Sequence, residues 1–436
     1  MPKTCDLANY ASQWGNISPA GRIGPRVAQA ARLWQTKDMP SAPRSSAAEI
    51  SSAARSLVAE EGLRGLSLRK VAARAGVSLG GVSYVMGGKA DLVRQLIDDA
   101  VAQRRERHGQ WLARAGRLDL ADPAVLAGLV GGYLDEAALH DRNSSLAICE
   151  LMLEAGRDPT AFGGIGGLIA GETAFWREAL ERLPQGPGLG EAIADYCRDE
   201  LPFALAIGLD PDYRLLRAGV CARLAARLCD AHGRGFAAGF EALAAAMDAR
   251  AVDIRKPLGA DLDSRRGHIA AAVADLIEQE GVAAVTHRAV AAAASAPNST
   301  VAHYFRTRDD LLRAGIEALY LGAIGSTEPL PPARAREGGL SLLRASGALV
   351  LSTARDASLR PFALDLRRRR GEHMAALVRP IGGAQPLDAA AAQAASMVIT
   401  GAGIARQALG EANAPAAQSV VARLTALRAT AQASLP

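Results

Sequence analysis

Aromatic residues are scarce. Phe, Tyr and Trp make up 4% of the 436 residues, although apolar residues reach 49%. Runs of β-branched residues, which would mark strands, are nearly absent, while alanine is plentiful. Sheet architectures are disfavoured and an all-α protein is expected. Cysteine is sparse too: Cys5, Cys149, Cys197, Cys221 and Cys229 are odd in number and have no disulfide-framework spacing, which argues against a stapled secreted domain. No apolar run reaches membrane-spanning length, and the best candidate, Ala389 to Ala405, is alanine and glycine without bulk. Met1 to Trp34 lacks the continuous apolar core of a signal peptide. A soluble cytoplasmic protein without a membrane partner is expected.

Signatures of catalysis are lacking as well. No Ser, His and Asp spacing matches a hydrolytic motif. Gly163 to Gly167 follows no strand, so it is not a phosphate loop. Cys229 and His232 form a CxxH pair with no second ligand pair of similar spacing, so buried thiols are expected there, not a metal. No catalytic residue, metal or cofactor is assigned. Charge of one sign is in only mild excess, +5 overall, which fits a nucleic-acid partner without requiring one. The length exceeds what one core usually supports, so several domains are expected.

What is present is a helix, a tight turn and a second helix in Ser67 to Leu92. Ser67 is a good N-cap, Val71, Ala72 and Ala75 give one apolar face, and Gly76 sits where a helix would stop. Ser78 caps a second helix that Gly87-Gly88 ends, and Lys89 opens a third. This is the shape of a helix-turn-helix, whose second helix can enter a major groove. The same pattern returns in Thr286 to Leu311 without a gap. Ser67 aligns with Thr286, Arg69 with Arg288, Val82 with Val301, Lys89 with Arg308 and Asp91 with Asp310, at a constant offset of 219 residues. Upstream, Ile50, Leu57 and Glu61-Gly62 align with Ile269, Leu276 and Glu280-Gly281. A three-helix unit was built twice.

AGVSLGGVSYVMGGKADL and TVAHYFRTRDDL resemble the signature of TetR-type repressors, an Ala-Gly-Val-Ser turn leading through aromatics to a basic residue heading a fourth helix. The resemblance covers about 50 residues in each half. The first copy has Ser83 and Met86 where the family usually has tyrosine and phenylalanine; the second has Ser295-Ala296-Pro297 in place of Gly-Val-Ser, and Ala302 in a tyrosine slot. The resemblance implies two TetR-like units, each a helix-turn-helix head with a helical ligand and dimerisation body, fused as an intramolecular pseudo-dimer. It further implies repression relieved by a small-molecule effector, with operator DNA as partner.

The expected organisation is an irregular extension over 1–44, the first head over 45–92, its body over 93–250, a linker over 251–263, the second head over 264–311 and a shorter body over 312–436. Within the first body, one helix over Pro211 to Ala249 is expected. In the second, helices are expected over Glu337 to Arg355, Ser358 to Val378, Leu387 to Leu409 and Pro415 to Ala433. Arg22, Arg26, Arg32 and Lys37 make the extension a candidate basic arm. Arg367 to Arg370 reads as a solvated helix face.

The first head holds six Lys and Arg against four Asp and Glu, the second five against five, but neither has a carboxylate between its first cap and the end of its second helix. Surfaces that approach phosphate should avoid acids. The candidate DNA contacts are Ser67, Arg69, Ser78, Leu79, Gly81, Ser83, Tyr84 and Lys89 in the first head. In the second they are Thr286, Arg288, Asn298, Ser299, Thr300, His303, Tyr304 and Arg308. Tyr84, Lys89 and the cap hydroxyls suit phosphates, while Asn298 suits an adenine edge and the Thr300 methyl a thymine. For an effector pocket, aromatic and polar groups interleave at Trp111, Tyr133, His140, Glu150, Met152, Phe162, Phe175, Trp176, Tyr196 and Phe203. Two other readings stay open. In one, only the first head touches DNA and the second half is structural; in the other, the chain is a sensing or carrier module without DNA binding.

Overall fold

The computed structural model describes residues 47–229, 234–250, 264–324, 332–411 and 416–433. The expected N-terminal arm and the 251–263 linker lie outside them. Among the described residues every regular element is helical.

The first head is α1 (Ala47–Glu61), α2 (Leu68–Ala75) and α3 (Leu79–Met86), followed by the long α4 (Lys89–Ala115). Ile50, Ala54, Leu57 and Val58 recur at three-four spacing on α1 and are buried against Val71, Val82, Leu92 and Leu96. Ser67 Oγ accepts the Lys70 N–H and Ser78 Oγ accepts the Gly81 N–H, so both expected caps form. The second head repeats this with α11 (Arg265–Glu280), α12 (His287–Ala293), α13 (Asn298–Tyr304) and α14 (Arg308–Ile324). Thr286 Oγ1 caps α12 through the Ala289 N–H, but Pro297 replaces the second cap and supplies no side-chain bond. The turn demands a left-handed residue in each head. Gly76 supplies it at φ 67°, whereas Ser295 is forced to φ 48° in the second head, a conformation that costs a Cβ-bearing residue about 1 kcal/mol.

The first body is α5 (Pro123–Asp135), α6 (Arg142–Ala155), α7 (Ile165–Ala179), α8 (Gly186–Ile207), α9 (Pro211–Ala225) and α10 (Arg234–Arg250). The expected helix from Pro211 to Ala249 is thus two helices: the chain breaks after Ala225, with Arg227 and Leu228 at positive φ. The second body is α15 (Pro332–Thr353), α16 (Arg360–Arg368), α17 (Ala375–Gly382), α18 (Ala389–Ala408) and α19 (Ala416–Ala433). The expected helix from Ser358 to Val378 is interrupted at Gly371, at φ 93°. No helix among the described residues is long and apolar enough to cross a membrane.

The two bodies meet along α8 and α18, with α9 beside α18 and α19 beside α8. At the crossing, a Cβ on Gly401 would stand 1.7 Å from the Asp195 carbonyl oxygen, so only glycine lets the helices approach this closely. The seam is ionic as well as apolar. Carboxylates of α8 face arginines of the second body: Glu200 with Arg367, Asp199 with Arg370, Asp195 and Glu191 with Arg423. This corrects the reading of Arg367 to Arg370 as a solvated face. Arg367 and Glu200 are both fully buried, and the pair is bidentate at 3.0 and 2.8 Å. The Tyr196 and Tyr213 hydroxyls donate to the same carboxylate at 2.7 and 2.8 Å, so its oxygens are saturated.

Candidate nucleic-acid interface and ligand cavity

On each head the second helix buries one side and bares the other. Val82 and Met86 of α3, and Val301 of α13, face inward. Leu79, Ser83 and Tyr84 of α3 point out, Tyr84 at 92% exposure, and so do Asn298, Ser299, His303 and Tyr304 of α13. Gly81 and Thr300 are half-buried. Arg69, Ser78 and Lys89 are exposed, as are Thr286 and Arg288, while Ser67 is half-buried at the head of α2. Both heads therefore present a solvent-facing helix of the shape the sequence suggests, polar in the second head and mixed in the first, where Leu79 and Val85 are exposed beside Ser83 and Tyr84.

Electrostatics separate the cations. Lys70 is paired with Glu61, and Arg74 forms a two-pronged pair with Glu60 at 2.8 and 2.6 Å, so acids of α1 reach over and neutralise them. Among the described residues Arg69 and Lys89 are exposed and stand in no ion pair. In the second head Arg308 departs from the expectation drawn from Lys89. Its guanidinium donates to the carbonyls of Val285 at 3.1 Å and Val282 at 2.8 Å, bracing the head internally. Arg306 stands exposed two residues earlier. His287 Nε2 lies 2.8 Å from the Phe305 carbonyl and ties α12 to the end of α13, a role that sequence spacing did not suggest.

A cavity of about 90 Å³ lies within the body, between α4, α5, α6, α7 and α8 of the first half and α15 and α18 of the second. Of the residues expected at an effector pocket, it brings together Tyr133 and Met152 only. Phe175 stacks behind Tyr133 at 5.5 Å between ring centroids, and Trp111 and Trp176 meet it edge-on at 5.7 and 5.3 Å. Tyr196 and Phe203 belong to the buried seam, Phe162 sits beneath the first head, and His140 is exposed. Glu150 is turned away, pairing with Arg355 and accepting the Leu63 N–H.

The polar wall comes from residues that sequence reasoning missed. Arg104 is 8% exposed and donates to the Tyr133 hydroxyl and to Ser145 Oγ, both at 3.2 Å. His108 Nε2 lies 3.2 Å from that same Tyr133 hydroxyl, and its ring stacks on Phe175 at 4.5 Å. Burial, then the positive fields of Arg104 and Arg107, push the His108 imidazole down to about 4, so it is neutral at pH 7. Burial raises the Glu172 carboxyl above its ordinary range against the pull of Arg198 and Arg104. A charge on a predicted amphipathic helix reads as solvent-facing, and only the fold turns Arg104 and His108 of α4 inward.

Two copies of a capped helix-turn-helix with an outward second helix, each leading into a helical body, define a DNA-binding regulator. Residues 50–96 and 269–314 match the family model described as bacterial regulatory proteins, tetR family. The chain carries two such units in tandem and is a DNA-binding transcription regulator of that family. No curated protein matches it.

Proposed function

We propose that both heads of one chain bind a single duplex, and that a small molecule filling the cavity releases it. The reading of the fused bodies is a pseudo-dimer. The complementary ion pairs between α8 and the second body support it, because they join unlike surfaces within one chain. The observation that carries the proposal is the exposure of both α3 and α13, with unlike residues on their outer faces. Two different reading helices favour two unlike half-sites, about one helical turn or roughly 34 Å apart. Fusion makes the heads bivalent, so modest contacts from each suffice. The role is repression: an effector that prefers the head spacing unable to span the operator shifts the population off DNA.

Selection of bound sequences from a random DNA pool tests this directly. An asymmetric site with two dissimilar halves is expected. A perfect palindrome, or a site covering one head only, would count against it.

A further inference from the structure

The charge balance of the cavity is uneven. Three arginines line it, Arg104, Arg198 and Arg344, against one carboxylate, Glu172. Arg198 is paired with Asp195 and lies 3.4 Å from Glu172, and Arg344 is held by Glu278 at 2.9 Å. Among the described residues Arg104 has no carboxylate within salt-bridge distance: it donates to the neutral hydroxyls of Tyr133 and Ser145, and Glu172 and Asp141 act on it only from farther off. Tyr133 cannot serve as the counter-ion, because burial drives its phenol well above the ordinary range. A buried cation is costly unless paired.

A second observation is independent of the first. Gln407, on α18 of the second body, is 6% exposed and lines the same cavity, and its Nε2 has no hydrogen-bond partner among the described residues. An unsatisfied buried donor is likewise costly and asks for an acceptor. The rest of the wall is apolar, from Ile148, Met152, Leu168 and Ile404 among others.

We propose that the cavity takes a small amphipathic anion, a monocarboxylate whose carboxylate pairs with Arg104, whose acceptor oxygen meets Gln407 Nε2 and whose apolar body fills the remainder. This rests on the reading of the cavity as the effector site. About 90 Å³ is less than the roughly 150 Å³ that holds a benzene ring, so a short chain fits inside and a ring reaches out through the cavity's mouth. The carboxylate supplies the direct ion pair that Arg104 lacks among the described residues, beyond the more distant Glu172 and Asp141. Because Arg104 belongs to the first half and Gln407 to the second, one ligand bridges the seam, and the stoichiometry is one per chain.

Calorimetric titration of the full chain with three matched pairs of probes tests the assignment: benzoate and hexanoate, benzyl alcohol and hexanol, benzylamine and hexylamine. The carboxylates are expected to bind at least tenfold more tightly than the alcohols, and the amines more weakly than either. Arg104→Gln removes the carboxylate advantage while leaving alcohol affinity within threefold, and Arg104→Lys restores part of it. Gln407→Leu weakens carboxylates several-fold and keeps the preference for negative charge. The comparison among probes on the unaltered chain stands even if Arg104→Gln fails to fold. Amines binding as well as carboxylates would overturn the anion assignment but leave the cavity a ligand site. Binding by none of the six probes would overturn the cavity's role as well.

Discussion

Arg355 Nη2 stands 2.7 Å from Glu150 Oε1, joining the second body to the first. The same guanidinium donates to the carbonyls of Ala59 at 2.8 Å and Val58 at 3.2 Å at the C-terminal end of α1, where the Val58 carbonyl also accepts the Gly62 N–H at 2.9 Å. Glu150 in turn accepts the Leu63 N–H. One arginine just beyond α15 therefore holds the first head, while Arg344 of the same helix lines the cavity and holds Glu278 of the second head. Arg355→Ala is expected to destabilise the chain by about 2–3 kcal/mol, below the cost of breaking a fully buried pair because the site is partly wet. Amide exchange at the end of α1 should speed up with it. An unchanged urea midpoint together with unchanged exchange would show that the contact is idle.

The buried pair of Arg367 and Glu200 makes a different prediction. Removing one partner leaves the other charged, buried and unpaired, so Arg367→Met should cost about 3–5 kcal/mol. Replacing both partners with methionine should recover a large part of that loss, since the desolvation of both charges disappears. Thermal or urea unfolding of the single and double variants measures it. A double variant no more stable than the single one would mean that the surrounding contacts dominate, the Tyr196 and Tyr213 hydroxyls on Glu200 and the bond from Arg367 Nη1 to Gln393 Oε1.

The cations of the heads differ in what they are free to do. Lys89 is exposed and in no ion pair among the described residues, so Lys89→Ala should lower the slope of log affinity against log salt by about 0.9, the loss of one phosphate contact. Lys70, paired with Glu61, should change the slope by less than half as much. Arg308→Ala should act mainly through stability of the second head, because its bonds run to Val282 and Val285. Gel shifts across a salt series separate the three. Equal slopes for Lys70→Ala and Lys89→Ala would remove the distinction.

His108 carries a pH dependence whose sign follows from its burial. Its folded value is depressed to about 4 from an ordinary 6.5, so the unfolded chain binds the extra proton between these values. Stability contributed by the neutral ring is present above pH 6.5 and is lost as pH falls toward 4, up to about 3 kcal/mol. Glu172 and Asp199, raised by burial, push in the opposite direction, so the comparison must be made against a variant. His108→Phe keeps the stacking on Phe175 and cannot titrate. The stability of the natural chain relative to this variant should fall between pH 7 and 4, and a constant difference would contradict the burial argument.

The heads were legible because their information is local. Caps, turn glycines and three-four apolar spacing act within a few residues, and a repeat at constant offset tests each position twice. Even Ser295, which breaks the glycine pattern, was visible as a departure, and the structure bends it into the conformation that Gly76 adopts freely. The outward faces of α3 and α13 follow directly from which positions the core claims.

What only the tertiary structure decided is where long-range charges go. Arg367 on a short arginine run looked solvated, Glu150 and His140 looked like pocket groups, and Arg104 and His108 carried no local signal that singled them out. Each placement depends on a partner far away in sequence, Glu200 for Arg367 and Arg355 for Glu150, or on the meeting of two bodies that no local pattern encodes. Helix formation and capping are short-range and survive a reading residue by residue. The burial of a charge is settled by the sum of desolvation and pairing across the whole fold, so it becomes readable only when the helices are assembled.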